Sequence, residues 1–143
     1  MKSHVTLLIN STTTSIEAEL KAILGHHRLD QDSVESIPAH YWDYWYFPED
    51  DYFDDAELKA KFPLEEKEVL DNSIYVRNLP QGYGTSGVIC LDGTWVDLQD
   101  FGWRMLHEPS EANDKAMNQW KTKLKEILSE NRNAICVQII THC

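Results

Sequence analysis

All of the chain's net charge lies in one stretch of 42 residues, and so do most of its aromatic rings. From Asp30 to Asp71 there are fourteen acids against three bases, Lys59, Lys61 and Lys67. The residues outside that stretch carry ten acids and ten bases, so the formal charge of −11 belongs to the stretch alone. Carboxylates at that density repel one another and stay in water unless each is paired. Two readings follow: the segment's aromatics are core and the acids merely its wet side, or the two together form a partner-binding face. Acid alone predicts a solvated tract. Here nine of the chain's fifteen aromatics are interleaved with it, from Tyr41 to Phe62. Rings supply the burial that gives a segment reason to order. The pattern predicts a neutral scaffold interrupted by an acidic aromatic insertion at about residues 30–71.

The scaffold is legible from its periodicities. Residues 4–10 are β-branched and apolar and read as a strand ended by Asn10-Ser11. Thr14-Ser-Ile-Glu17 has the form of a capping box. After it Ile16, Leu20, Ile23 and Leu24 share one helical face, and Gly25 closes the helix. Residues 73–78 and 87–91 read as strands, Asp92-Gly93 as a tight turn, and 94–96 as a further short strand. A second helix starts at Ser110, where Ala112, Ala116, Met117, Trp120, Leu124, Ile127 and Leu128 keep the 3.6-residue period. Residues 134–140 are almost continuously apolar, which suits a strand at the centre of a sheet. Residues 26–40 look irregular, and 54–71 contain one or two short helices interrupted before Pro63. The order β-α-insertion-β-β-β-α-β predicts a single α+β domain over residues 1–143. Its expected architecture is an antiparallel or mixed sheet with two main helices on one face, a ferredoxin-like variant.

Composition removes several classes. No apolar run approaches the roughly 18 residues that span a bilayer. The apolar run after Met1-Lys2-Ser3-His4 is too short for a secretory signal, so a cytoplasmic protein is expected. The acid excess argues against a basic surface for nucleic acid or for an anionic membrane. Cys90, Cys136 and Cys143 are odd in number and lack paired spacing. That predicts free thiols in a reducing compartment, with Cys90 and Cys136 as small buried apolar residues.

The motifs that look chemical do not hold together. Gly82-Tyr-Gly84-Thr-Ser-Gly87 matches G-x-G-x-x-G, but a strand follows it where a dinucleotide site needs a helix N-terminus. Asp100-Phe-Gly102 matches a kinase metal motif by letters only, without the rest of that machinery. His4, His26, His27, His40, His107 and His142 show no metal-ligand spacing. His40 with Asp43 is a conceivable pair on one helical turn. Asp50, Asp51, Asp54 and Asp55 lack the loop pattern of a cation site. His142 and Cys143 are adjacent, so on a strand they point to opposite faces. No catalytic residue, metal or cofactor is assigned, and the chain is not expected to be an enzyme.

Several pieces together resemble a family of small phage and bacterial proteins of unassigned function. Tyr41-Trp-Asp-Tyr-Trp45 resembles their aromatic box, and residues 88–95 their strand-turn with D-G-x-W. Gly102-Trp103, Trp120 in an amphipathic helix, and the closing Thr141-His142-Cys143 also match. The Gly-Gly-Arg-Trp stretch that follows the box in that family is replaced here by the acidic run. The resemblance implies a phage or mobile-element origin and no particular activity.

Two functional expectations remain. In the first the protein binds and inhibits a basic partner, as anti-CRISPR and anti-restriction proteins or immunity proteins for nuclease toxins do. Its acids take the place of phosphates on a nucleic-acid-binding surface. Asp50, Asp51, Asp54, Asp55 and Glu57 supply the charge, and Tyr41, Trp42, Tyr44 and Trp45 the packing. In the second the protein is a small enzyme or small-molecule binder, with Trp42, Trp45 and Trp103 lining a pocket. A structural or homo-oligomeric protein using the same aromatics is a third option.

Overall fold

The apolar run after His4 becomes strand β1 (Lys2–Ile9), the middle of a six-stranded sheet. The computed structural model describes residues 1–29, 39–48, 69, 71–106 and 108–143. The other strands are β2 (Tyr44–Tyr46), β3 (Ser73–Tyr75), β4 (Gly87–Ile89), β5 (Trp95–Asp97) and β6 (Ile135–His142). Across the sheet they run β2-β6-β1-β4-β5, with β3 also paired to β6. β1 is antiparallel to β6, from Lys2 opposite His142 to Ile9 opposite Ile135, and parallel to β4. The sheet is therefore mixed and the class is α+β, as the sequence predicts.

Val5, Thr6, Leu7, Leu8 and Ile9 are all buried. Side chains alternate along a strand, so burial at consecutive positions requires cover on both faces. Helix α1 (Ile16–Gly25) supplies one cover. Its Leu20 and Leu24 pack with Val5, Leu7, Ile9, Val137 and Ile139. Helix α2 (Glu111–Glu130) supplies the other, packing Trp120, Leu124 and Ile127 against Leu8, Val88 and Cys136. The two helices thus lie on opposite faces, which corrects the expectation of one shared face and with it the ferredoxin-like layering. Each fully buried leucine contributes about 2 kcal/mol of transfer free energy. The one buried hydroxyl of β1, on Thr6, shares a 2.6 Å hydrogen bond with the Tyr83 hydroxyl.

Local signals decide the element ends. Ser15, one residue later than expected, is the N-cap of α1, and its hydroxyl accepts from Ala18 N at 3.2 Å. Ser110 caps α2 through Asn113 N, as expected, whereas Ala112 is exposed. The 73–78 strand is shorter than predicted, because 76–78 turn into a 3-10 helix. Gly93 N donates to Cys90 O at 2.9 Å, and Gly93 has φ +85, so Asp92-Gly93 makes the tight connection between β4 and β5. Gly82, at φ +82, is the third residue of the turn closed by Tyr83 N to Pro80 O at 3.1 Å. The glycine motif is therefore a turn followed by β4, with no helix N-terminus behind it.

The insertion adds one element that the sequence does not announce, strand β2. It pairs with residues 140–142 of β6, and β3 pairs with residues 135–137 of the same strand. The short helices expected over 54–71 fall almost wholly outside the described residues. Val69, near their end, is a buried member of the α1 core. Among the described residues no helix is long and apolar enough to cross a membrane. The three cysteines are free. Cys136 is buried, and burial pushes its thiol up to about 11.

Candidate functional site

The aromatic box turns inward and ties the start of the insertion to the scaffold. Trp42 is 7% exposed in the core under α1, and its indole N–H donates to Leu24 O at 2.8 Å. Its backbone bonds to the segment after α1, with Trp42 N to His27 O at 3.1 Å and Leu29 N to Trp42 O at 3.0 Å. Phe47 is buried in the same core, where Trp45 meets it edge to face at 5.6 Å. Tyr44 faces the other side of β2 and stacks on His142 at 4.4 Å. Tyr41, Tyr44 and Trp45 are half-buried. Trp42 is an anchor for the scaffold and has no surface left for a partner.

Asp43 does not meet His40. Its carboxylate lies 2.8 Å from His142 Nδ1 and also accepts from Tyr44 N at 2.8 Å. His40 instead sits between two carboxylates from the far side of the sheet. Its Nδ1 is 3.1 Å from Asp97 Oδ2 and its Nε2 is 3.0 Å from Asp100 Oδ1. The ring stacks on Trp95 at 5.6 Å. Both carboxylates are fixed by backbone donors. Gln99 N donates to Asp97 at 2.8 Å, and Asp97 N donates to Asp100 at 2.8 Å, the capping box of the 3-10 turn Leu98–Phe101. Gly102, at φ +98, ends that turn, so the Asp-Phe-Gly letters are a capped corner. The hydrogen bond to Asp97, together with the negative charge of Asp97 and Asp100, raises the His40 pKa above its ordinary value.

Donor atoms of His40, Asp97 and Asp100 lie within 4.8 Å of one another, a set that suits a metal by composition. Each imidazole nitrogen already faces a carboxylate, however. That arrangement is what a doubly bonded imidazolium requires, because a protonated ring donates from both nitrogens. The cluster is best described as a clamp joining residue 40, within the insertion, to the corner after β5.

The structure does not bring Trp42, Trp45 and Trp103 together as a pocket. Trp42 and Trp45 belong to the α1 core, and Trp103 packs at the margin of the α2 core. Asp50, Asp51, Asp54, Asp55 and Glu57 lie outside the described residues. The clamp is what sequence reasoning missed. Asp97-Leu-Gln-Asp100 has capping-box spacing and announces its own turn. Nothing local announces a histidine sixty residues away. Compared with family models, with curated proteins and with solved structures, the chain finds no match in any of the three. The resemblance to small phage and bacterial proteins accordingly stands on its motifs alone.

Proposed function

We propose that this chain is an acidic protein-binding inhibitor, of the kind phages and mobile elements encode, whose insertion covers the basic nucleic-acid-binding surface of a partner. Anti-CRISPR, anti-restriction and toxin-immunity proteins share that chemistry. One observation carries the proposal. The most acidic part of the insertion leaves and rejoins the scaffold on one strand: Tyr46 pairs with Ile140 and Ser73 with Val137. Those β6 residues are about 10 Å apart at the rise of a strand. The span between those anchors holds ten acids and three bases, seven of the chain's eleven net negative charges, and is thus tethered to one edge of the sheet. Such an asymmetric field steers a basic partner and repels nucleic acid. Aromatics buried at the root of the insertion hold that attachment.

The test is capture from a cell extract at low salt, with the retained proteins identified as salt rises. Basic nucleic-acid-binding proteins should be retained and should elute at moderate salt. A variant with Asp50, Asp51, Asp54 and Asp55 replaced by Asn should lose them. Equal capture by that variant would sink the proposal.

A further inference from the structure

Along one side of α2 runs an open groove of about 1030 Å³, whose other wall is residues 76–86. The groove contradicts the charge of the molecule as a whole. Arg77, Lys121, Lys125 and Arg132 line it, and among the described residues no carboxylate does. Lys121, Lys125 and Arg132 are exposed, and none is ion-paired with a described carboxylate. A chain of net charge −11 has therefore kept one concave surface cationic.

The groove is long and apolar at its floor. Met117, Lys121, Leu124, Lys125, Leu128 and Arg132 follow one stripe of α2 and its end, at i, i+4, i+7, i+8, i+11 and i+15. At 1.5 Å per residue that stripe spans about 20 Å. Half-buried Leu79, Met117 and Leu128 are the reachable apolar positions between the cations. The largest aromatic of the groove is buried. Trp120 is 2% exposed, with its indole N–H on Thr85 O at 2.7 Å, and the Tyr83 hydroxyl is bonded to Thr6. Trp120 therefore offers no ring face to a base, and stacking platforms are what single-stranded nucleic acid requires of its groove.

We infer that this groove docks an acidic amphipathic peptide segment of another protein. A span of about 20 Å takes six extended residues. Successive side chains of an extended segment point to opposite faces, so acids and apolar side chains taking turns at every second position, on the face turned to the groove, match the cations and apolar positions of the stripe. The inference does not depend on the insertion, which lies on a different part of the chain and carries the opposite charge.

The experiment is fluorescence anisotropy on the full chain at low salt, with a labelled twelve-residue peptide in which glutamate and leucine take turns at every second position with serine between them. Comparison probes are polyglutamate, the matching lysine–leucine peptide and an oligouridylate of equal length. The glutamate–leucine peptide should bind tightest. Lys121→Glu with Lys125→Glu, both exposed and both remote from the core, should weaken it about tenfold or more. Leu79→Ser should weaken it without changing its salt dependence. Replacing Asp50, Asp51, Asp54 and Asp55 by Asn should not weaken it, which separates this site from the insertion. Tighter binding of oligouridylate or of the lysine–leucine peptide would overturn the inference. So would unchanged affinity in the folded Lys121→Glu, Lys125→Glu variant.

Discussion

The His40 clamp is a residue-scale device with a pH signature. Its folded pKa is raised above the ordinary 6.5 by Asp97 and Asp100. A group raised in this way contributes its full stability below its unfolded pKa and loses it as pH climbs through the folded value. Stability lent by the clamp should therefore be complete below about pH 6.5 and fade above it. Denaturant unfolding of the wild type and of His40→Gln should differ by about 1 kcal/mol at pH 6. The difference should shrink as pH rises, and a gap that widened with pH would refute the assignment. Beside the clamp, Gly87 leaves the space that Trp95 fills. A Cβ there would stand 3.0 Å from Trp95 Nε1 and 3.0 Å from Asp97 Cβ. Gly87→Ala should cost roughly 1–3 kcal/mol by crowding, read as a lower denaturation midpoint at constant slope.

At the scale of elements, the chain announces those parts whose burial is periodic and local. α1, α2, β1 and β6 are legible because each carries its own apolar pattern. β2 is hidden: three aromatic residues in an acidic tract become a strand only because the edge of β6 receives them. The opposite-face placement of the helices is visible only in the structure. Five successive buried residues in β1 demand two covers, but which helix takes which face depends on the crossovers. Sequence proximity makes Asp43 a conceivable partner of His40, and the fold instead sends each to a partner from a distant element. Trp42, Phe47 and Val69 fasten the insertion to the core from outside residues 49–68, which predicts that residues 49–68 are dispensable for folding. Replacing residues 49–68 by a short flexible linker should keep the pairings on β6 and the burial of Phe47 and Val69. Loop closure changes slowly with length, so thermal stability should shift by no more than about 1 kcal/mol. Loss of cooperative unfolding would show instead that residues 49–68 belong to the core.

The whole molecule is two opposed electrostatic objects on one neutral frame. The insertion carries the anionic excess, and the α2 groove carries a cationic stripe that composition alone hides. Net charge could be located in the sequence because it is a sum over a segment. The groove could not, since Arg77 meets Lys121, Lys125 and Arg132 only through the fold. The measurement that bears most directly on the proposed function is the salt dependence of affinity for a captured basic partner. It should be made on the wild type and on the variant with Asp50, Asp51, Asp54 and Asp55 changed to Asn. The wild type should lose affinity steeply as salt rises, and the variant should bind weakly with a shallow slope. Matching slopes and matching affinities would contradict the claim that the acidic insertion is the binding surface.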